Sequence, residues 1–272
     1  MQGVTALFGG VVEAKCIQSS DHVGMATFAS AMAKAQRSAH AMGTNAQGRR
    51  GRLRLFLDTA DVAAWRTWLP TGVFYGVTTN PTLLERAKAT RCDAGALAEL
   101  AREAFRLGAE EVQLQTWGGK DVDALAQRGA TLAAIDPRVV VKVPITEAGA
   151  RAAHLLVQDG HRVTMTGVYA THQVVSATAL GAAYAAPYLG RMNDAGLDGL
   201  DAIMDMQCIV DAMESDLRVL VASVREVGEV AKLAAAGVDT FTVSPGVAEQ
   251  MFAEPLTHKA AEDFEAAAER WS

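Results

Sequence analysis

The chain has 272 residues, a length that suits one large α/β barrel of about 250 residues or two smaller domains. Half of the residues are hydrophobic, but no apolar stretch approaches the roughly 18 uninterrupted residues of a membrane span, so we expect a soluble protein without a membrane partner. Seven basic and two acidic residues give residues 1–54 a net charge of +5, which leaves −11 for the rest of a chain of net charge −6. An acidic body argues against nucleic acid as the main partner.

The cysteines and histidines indicate neither a disulfide framework nor a metal site. Cys16, Cys92 and Cys208 are far apart and belong to no CxxC or Cys/His pair, so we expect reduced thiols and a cytoplasmic protein. The histidines near predicted helix ends lack the spacing of metal ligands: His154, His161 and His172. We therefore predict no metal, and because no cofactor-binding motif is present we also predict no cofactor.

Residues 1–52 show neither a sustained helical or strand period nor the pattern of a secretory signal. Their second half is rich in Ala, Ser and Arg and poor in acidic residues, which is typical of an organellar transit segment. A disordered extension or an over-long start of the chain is about as consistent with this composition. We predict that these residues lie outside the fold and are dispensable for activity, and that the catalytic domain comprises residues 53–272.

From Leu53 onward, short apolar segments alternate with amphipathic ones. The predicted strands are Leu53–Asp58, Val73–Val77, Val112–Thr116, Val139–Val143, Arg162–Thr166, Ala183–Tyr188, Arg218–Ala222 and Thr240–Val243. The predicted helices are Thr59–Leu69, segments around Leu83–Lys88 and Ala94–Leu107, Asp121–Ala134, Glu147–Gln158, Thr171–Leu180, Leu200–Glu214 and Val227–Ala236, with closing helices from Gly246 and from Thr257.

The order of these elements indicates the fold class. Eight strands that alternate with helices over about 220 residues predict one closed, parallel (β/α)8 barrel, the TIM barrel. A doubly wound sheet would show a glycine-rich turn after its first strand, but that turn reads Leu57-Asp58-Thr59-Ala60. We therefore favour the α/β barrel over an open sheet.

One charged residue interrupts the most apolar of these strands. Val139–Pro144 reads Val-Val-Val-Lys-Val-Pro, and such a continuous β-branched run is typical of a strand covered on both faces. Because side chains alternate along a strand, Lys142 shares a face with Val140, opposite Val141 and Val143. Burial lowers the pKa of a lysine, and a partly neutral amine is the nucleophile that forms a Schiff base with a carbonyl. The alternative is a lysine at a strand end whose ammonium reaches solvent.

Polar residues stand at the carboxyl end of nearly every predicted strand, where the active site of a barrel lies. They are Asp58, Thr78, Asn80, Gln115, Lys142, Thr166, Tyr169, Tyr188, Arg191, Ser223, Arg225 and Ser244. Each also has an ordinary interpretation: Asp58 could cap the next helix, Asn80-Pro81 could be only a turn, and the others could be rim, core or surface residues. Together they predict a polar, partly basic site at one end of the barrel.

Five of the strand ends carry motifs, in one order, across a body that extends from about Leu53 to Trp271. They read Leu55-Phe56-Leu57-Asp58-Thr59-Ala60, Gly76-Val77-Thr78-Thr79-Asn80-Pro81, Val140-Val141-Lys142-Val143-Pro144, Ala186-Pro187-Tyr188-Leu189-Gly190-Arg191 and Ala222-Ser223-Val224-Arg225. These motifs resemble those of the transaldolase family, particularly its small-subunit branch, which includes fructose-6-phosphate aldolase. The resemblance implies a class I, Schiff-base aldolase on a (β/α)8 barrel, with a small sugar phosphate as its partner.

The resemblance also implies roles for individual residues. Lys142 would be the covalent lysine, and Asp58 the carboxylate that transfers a proton or orients a hydroxyl. Thr166 and Gln115 would hold a catalytic water, and Tyr188 would carry a proton near the Schiff base. The substrate-binding residues would be Thr78 and Asn80, with Asn80 at the dihydroxyacetone portion, and Arg191, Ser223 and Arg225 at the phosphate.

Two positions separate the branches of this family. Gln115 and Tyr188 match the fructose-6-phosphate aldolase type, whereas the transaldolases resemble one another in having glutamate and phenylalanine there. An aldolase must protonate the enamine that remains after C–C cleavage, and a tyrosine near the Schiff base can supply the proton. Arg225 instead favours the transaldolase branch, because the aldolase branch often has lysine at this position. Met165-Thr166-Gly167 and Gln113–Trp117, which ends in a bulky residue, match neither branch cleanly.

We therefore expect an enzyme that cleaves fructose 6-phosphate to dihydroxyacetone and glyceraldehyde 3-phosphate and also catalyses the reverse reaction. One alternative is a transaldolase of the pentose phosphate pathway, which transfers a dihydroxyacetone unit between sugar phosphates. A more distant alternative is a non-catalytic sugar-phosphate binder. The resemblance also implies a homo-oligomer, because small members of the family tend to assemble into rings.

Overall fold

Eight parallel strands form a closed barrel. The computed structural model describes residues 53–89 and 91–271, so the expectation for residues 1–52 lies outside the described residues. The strands are β1 (Arg54–Asp58), β2 (Gly76–Thr78), β3 (Glu111–Gln115), β4 (Val139–Pro144), β5 (Val163–Val168), β6 (Tyr184–Pro187), β7 (Arg218–Val224) and β8 (Thr240–Val243). Each strand pairs with the next, and β1 pairs with β8, which confirms the predicted (β/α)8 barrel.

Helices follow the strands and cover the outside of the barrel. They are α1 (Val62–Trp68), α2 (Pro81–Arg86), α3 (Ala94–Arg106), α4 (Val122–Ala133), α5 (Glu147–Gln158), α6 (Thr171–Ala179), α7 (Leu189–Asp194), α8 (Gly199–Ala212), α9 (Val227–Ala235), α10 (Pro245–Gln250) and α11 (Pro255–Glu269). Thr146 caps α5, since its Oγ1 accepts the backbone N–H of Gly149 at 3.1 Å. Among the helices of the described residues, none has the length and apolarity that crossing a membrane requires.

Two predicted boundaries near β1 are wrong. Helix α1 begins after Asp61, whose carboxylate caps it, and not after Asp58, which stays in the strand. Strand β2 begins at Gly76 and not at Val73. The backbones of Gly76 and Glu111 are so close that a Cβ at the glycine would lie 2.0 Å from the Glu111 carbonyl oxygen. Pairing between β2 and β3 therefore begins at a residue without a side chain.

The apolar side chains form two layers, one on each side of the sheet. The layer inside the barrel consists of Phe56, Val140, Tyr184, Ala186 and Leu220. Residues of the opposite parity, such as Leu57, Val141 and Val143, pack in the larger layer between the strands and the helices. The predicted alternation along β4 is thus confirmed, and it directs Lys142 to the inside of the barrel with Val140.

A polar network closes the amino-terminal end of the barrel. The buried carboxylate of Glu111, the first residue of β3, forms a salt bridge with Arg162 at 2.7 Å. It also accepts hydrogen bonds from the Tyr184 hydroxyl at 3.0 Å and from the Gln113 amide at 2.9 Å, while Arg54 donates to the Tyr184 hydroxyl. A buried carboxylate is tolerated where donors surround it. We attribute this network to stability, because barrel active sites lie at the opposite end of the strands.

Candidate active site

A cavity of about 350 Å³ opens at the carboxyl-terminal ends of the strands. Its wall consists of Asp58, Asn80, Thr82, Leu83, Arg86, Lys142, Tyr188, Arg191, Asp194, Ala222, Ser223, Val224, Arg225 and Ser244. The polar strand-end residues that the sequence predicts are in this wall, except for Thr78, Gln115, Thr166 and Tyr169. In the part of the chain that the structure describes, no group of three or more His, Cys, Asp and Glu residues is arranged to hold a metal ion.

Lys142 reaches the cavity from the inner face of β4, and only 3% of its surface is exposed. Burial lowers the pKa of its amine, although the carboxylate of Asp58 acts in the opposite direction. A lysine with a lowered pKa is uncharged more often at neutral pH, and the uncharged amine is the nucleophile. The alternative of a lysine that extends into solvent does not fit a side chain this deeply buried.

Asp58 ends β1 at the cavity and accepts a hydrogen bond from one buried threonine, which contacts a second threonine. Thr78 Oγ1 donates a hydrogen bond to Asp58 Oδ1 at 2.7 Å and lies 2.6 Å from Thr242 Oγ1. Both threonines are buried and neither is part of the cavity wall. The structure therefore places Thr78 where it orients Asp58, and not at the surface that a substrate would touch. Asp61, and not Asp58, caps the following helix.

Tyr188 follows β6 and joins the cavity wall to the end of β5. Its hydroxyl oxygen lies 2.6 Å from Thr166 Oγ1. The register between β5 and β6 shifts between Thr166 and Val168, around Gly167, whose φ of +75° favours glycine. Burial raises the pKa of Tyr188, and the hydrogen bond with Thr166 acts in the opposite direction. The phenol therefore keeps its proton at neutral pH and can donate it.

Gln115 is the last residue of β3, and its Cα is the register partner of the Lys142 Cα on β4. Partners in register direct their side chains to the same face of a parallel sheet, so the amide of Gln115 points into the barrel next to the lysine. The bulky Trp117 packs against the outer apolar layer, and the guanidinium carbon of Arg128 lies 5.4 Å from its ring centroid. Trp117 is not part of the cavity wall.

The predicted phosphate-binding residues are brought together by a close contact between α7 and β7. A Cβ at Gly190 would lie 2.5 Å from the carbonyl oxygen of Ser223 and 2.7 Å from Arg225 Nε. Only glycine permits this approach, which places Arg191, the next residue, beside them. Ser223 has a φ of +59°, in the region that non-glycine residues rarely occupy. Such backbone strain is concentrated at functional sites.

An acidic residue lies beside these arginines in the cavity wall. Asp194, at the end of α7, accepts a hydrogen bond from the Arg225 guanidinium and forms a salt bridge with it. The backbone N–H of Arg225 donates to Glu229 Oε2 at 2.9 Å. The guanidinium carbon of Arg191 lies 4.9 Å from the centroid of the Tyr188 ring. One arginine is thus oriented by a carboxylate and the other by an aromatic ring.

The sequence interpretation missed the cavity residues of helix α2. Asn80 Oδ1 caps this helix by accepting the backbone N–H of Leu83 at 3.0 Å, and Asn80 also lines the cavity. Thr82, Leu83 and Arg86 line it too. These three residues share one face of a helix, at positions i, i+1 and i+4. Following the helical period beyond Asn80-Pro81 would have indicated them, whereas Asp194 has no such signal because only the fold brings it to Arg225.

The barrel also matches known proteins along its length. The family model described as Transaldolase/Fructose-6-phosphate aldolase matches residues 55–272. A protein of Phenylobacterium zucineum named "Probable transaldolase" is 36% identical over 212 residues, which are 78% of this chain and 94% of that protein. Proteins of the same name from Cereibacter sphaeroides and Thermus thermophilus are each 34% identical, over 79% and 75% of this chain and 94% and 93% of their own lengths. The chain therefore belongs to the transaldolase/fructose-6-phosphate aldolase family and is an enzyme of the class I aldolase/transaldolase type.

Proposed function

We propose that this enzyme acts on a ketose phosphate as a fructose-6-phosphate aldolase does, with dihydroxyacetone and glyceraldehyde 3-phosphate as the cleavage products. The observation that carries the proposal is the buried Lys142, whose pKa burial lowers, in one cavity with Arg191 and Arg225. A neutral amine there can attack the carbonyl of a substrate whose phosphate the two arginines hold. Membership of the family supports this chemistry.

In the proposed mechanism, Lys142 Nζ attacks the C2 carbonyl of the ketose, water leaves, and an iminium forms. The Asp58 carboxylate accepts the proton of the C4 hydroxyl while the C3–C4 bond breaks. The electron pair of that bond moves toward the iminium and gives an enamine, and glyceraldehyde 3-phosphate leaves. The bond from Thr78 to Asp58 holds the accepting carboxylate in place during this step.

Release of the ketone requires a proton at C3 of the enamine. We assign this proton to the hydroxyl of Tyr188, which Thr166 orients across a distance of 2.6 Å. Protonation restores the iminium, and water hydrolyses it to dihydroxyacetone and free Lys142. Gln115, the register partner of Lys142, would hold that water. The proton on Asp58 can return to the tyrosinate through the water, so the cycle closes without a net change of charge.

The chemistry of the cavity wall indicates which residues would bind each end of the substrate. Arg191, Ser223 and Arg225 would bind the phosphate, because guanidinium groups form paired, charge-assisted hydrogen bonds with phosphate oxygens. Arg225 directly follows β7, and barrels often bind phosphate at the loops after strands seven and eight. The amide of Asn80 would hold the dihydroxyacetone portion.

Transaldolase activity is the second candidate, because the curated relatives carry the name "Probable transaldolase" and because Arg225 resembles that branch. In that reaction the enamine would attack a second aldehyde and would not be protonated. Gln115 and Tyr188 favour the aldolase. The non-catalytic binder that the sequence left open is set aside, since the chain belongs to an enzyme family.

The two candidates differ in what they do with fructose 6-phosphate alone. We expect the wild-type enzyme to release dihydroxyacetone and glyceraldehyde 3-phosphate from it without a second sugar. Tyr188→Phe should slow this release by about 10²–10⁴-fold, the usual contribution of one acid or base group, while borohydride still traps the substrate on Lys142. If the wild-type enzyme makes sedoheptulose 7-phosphate from fructose 6-phosphate and erythrose 4-phosphate much faster than it releases dihydroxyacetone, it is a transaldolase.

We further propose that the enzyme is a homo-oligomer. Helix α11 has no buried residue, and its large apolar side chains Leu256 and Phe264 are 78% and 73% exposed, with Trp271 just after the helix 91% exposed. Leu256 and Phe264 lie two turns apart on one face. A second copy of the chain is the occupant that would remove this apolar face from water. We also propose a cytoplasmic location, because Cys92 and Cys208 are free, exposed thiols.

A further inference from the structure

Tyr169 contacts two residues of the site without lining the cavity. It follows β5 directly and is 37% exposed. Its ring meets that of Tyr188 edge to face, with centroids 5.6 Å apart and an angle of 78° between the planes. This arrangement is favourable for two aromatic rings and limits how the Tyr188 ring can tilt.

Tyr169 also interacts with Arg191. The hydroxyl of Tyr169 interacts with the guanidinium of Arg191, and this interaction is the main cause that raises the pKa of Arg191. The guanidinium carbon of the same arginine lies 4.9 Å from the centroid of the Tyr188 ring. The three side chains therefore form a closed cluster, in which each member contacts the other two.

The backbone holds Tyr169 in this position. The bulge at Gly167, with its φ of +75°, ends the regular pairing of β5 just before Tyr169. The backbone N–H groups of Tyr169 and Ala170 both donate to the side-chain oxygen of Gln173, at 2.8 and 3.1 Å. Tyr169 is thus fixed at the start of α6, and its ring and hydroxyl are directed by local structure.

We propose that Tyr169 is a positioning residue that couples phosphate binding at Arg191 to proton donation by Tyr188. This inference deepens the proposed function and rests on it. Arg191 has five N–H donors, so it can keep its interaction with Tyr169 while it binds a phosphate. A substrate phosphate then holds Arg191 over the Tyr188 ring, and Tyr169 holds the ring from its edge. A substrate without phosphate lacks the first of these two constraints.

Two variants distinguish the role of the Tyr169 hydroxyl from the role of its ring. Tyr169→Phe keeps the edge-to-face contact and loses the interaction of the hydroxyl with Arg191, so KM for fructose 6-phosphate should rise about three- to tenfold with a smaller change in kcat. The inhibition constant of inorganic phosphate should rise by a similar factor, whereas KM for dihydroxyacetone in the synthetic direction should not change. Tyr169→Ala removes the ring as well, so kcat should also fall.

The pH profile tests the contact with Tyr188. The titratable or charged groups that face Tyr188 are Asp58, Tyr169 and Arg191, with Lys142 in the same cavity. Burial is the main cause of the raised pKa of Tyr188, and removal of the Tyr169 ring exposes the phenol and lowers that pKa. Because an acid catalyst must hold its proton, the alkaline limit of kcat for ketone release should move to lower pH in Tyr169→Ala. It should move less in Tyr169→Phe, which keeps the ring and loses only the smaller electrostatic effect of the Tyr169 hydroxyl.

Tyr75 offers a matched control at the other end of the barrel. Its ring meets Phe56 edge to face at 5.4 Å and lies under Arg54 at 4.7 Å, so Tyr75→Phe makes the same chemical change far from the cavity. It should leave the phosphate inhibition constant and the pH profile at wild-type values. A lowered Tm with wild-type kinetic constants in the Tyr169 variants would overturn the inference and leave a structural role.

Failure of the proposed function and failure of the coupling by Tyr169 give different experimental results. If borohydride traps no adduct on Lys142 of the wild-type enzyme, the proposed function fails and the coupling fails with it. If the adduct forms and Tyr169→Phe matches the wild-type enzyme in both KM and phosphate inhibition, only the role of Tyr169 is refuted.

Discussion

The hydroxyl oxygens of Thr166 and Tyr188 lie 2.6 Å apart and join the end of β5 to the residue that follows β6. Residues that are 22 positions apart in the sequence thereby become hydrogen-bonded partners. The hydrogen bond with Thr166 lowers the pKa of Tyr188 against the larger effect of burial. Thr166 therefore sets both the direction of the phenol and part of its acidity.

Thr166→Val tests this relationship. Loss of the bond should raise the pKa of Tyr188 further, so the proton would be held up to a higher pH but donated less readily. We expect kcat for ketone release to fall about ten- to a hundredfold, with the alkaline limit of the pH profile displaced to higher pH. Thr164→Val is the control on the same strand, because Thr164 Oγ1 bonds to Gln113 and not to Tyr188. Equal losses in both variants would contradict the role of Thr166.

Lys142→Met should reduce turnover by about 10⁴-fold or more, the scale of loss when a covalent nucleophile is removed. Borohydride reduction with dihydroxyacetone, followed by peptide mass spectrometry, should then find no adduct. The exposed Lys120 provides the control, since Lys120→Met should leave turnover and trapping unchanged. Near wild-type activity in Lys142→Met would refute the assignment of the nucleophile.

The same variant makes a prediction about stability. Because burial lowers the folded-state pKa of Lys142 below its ordinary value of 10.5, protonation favours the unfolded chain. The wild-type protein is therefore destabilised as pH falls below 10.5, and the effect levels off below the folded-state pKa. Lys142→Met should be at least as stable as the wild-type protein at neutral pH, and the difference should vanish above pH 10.5. Urea unfolding at several pH values measures this difference in stability. A variant that is less stable than the wild-type protein at neutral pH would contradict the claim that burial of the amine destabilises the fold.

Gln115→Glu should shift the enzyme from ketone release toward transfer. A carboxylate next to Lys142 would change how the catalytic water is held and protonated, so the ratio of transfer to erythrose 4-phosphate over release should rise about tenfold, equivalent to roughly 1.4 kcal/mol. Chromatography of sedoheptulose 7-phosphate and dihydroxyacetone from one reaction gives the ratio. Gln127→Glu, on the exposed face of α4, is the control for the added charge. An unchanged ratio in Gln115→Glu would mean that this position does not separate the two activities.

Asp194→Asn should tighten the binding of phosphorylated substrates. The Asp194 carboxylate pairs with Arg225 inside the cavity wall, so it both competes with a phosphate for the guanidinium and repels it. One unit charge at about 4 Å in water is worth about 1 kcal/mol, which corresponds to a decrease in KM for fructose 6-phosphate of about fivefold. KM for dihydroxyacetone should not change, and Asp201→Asn in the exposed first turn of α8 serves as the charge control. An increase in KM would show that Asp194 mainly orients Arg225.

Replacement of the apolar side chains of α11 should disrupt the proposed assembly. Leu256→Glu together with Phe264→Glu places charges on the exposed apolar face, and a second copy could bury them only at a large cost in free energy. Light scattering should show the mass of one chain for this double variant and a multiple of it for the wild-type protein. Glu262→Gln on the same helix is the control. A wild-type protein that is monomeric would contradict the proposal.

Hydrophobic periodicity and a single charge in an apolar strand were enough to predict much of the fold and the position of Lys142. Alternating segments predict eight βα units, and the β-branched run around Lys142 predicts a strand covered on both faces, because both signals depend on neighbours in the sequence. The structure confirms the barrel and the inward direction of Lys142. The errors at the start of α1 and β2 arise where a local signal competes with a contact to the neighbouring strand, as at Asp58 and Gly76.

The sequence by itself determined the fold class, the family resemblance and the strand ends where polar side chains gather, since each depends on residue type and local period. Only the tertiary structure decided that Thr78 supports Asp58 from behind, that Asp194 pairs with Arg225, and that Tyr169 contacts both Tyr188 and Arg191. These contacts join residues on different strands and helices. Their distances and directions depend on strand register and on bulges such as the one at Gly167, which no local period encodes.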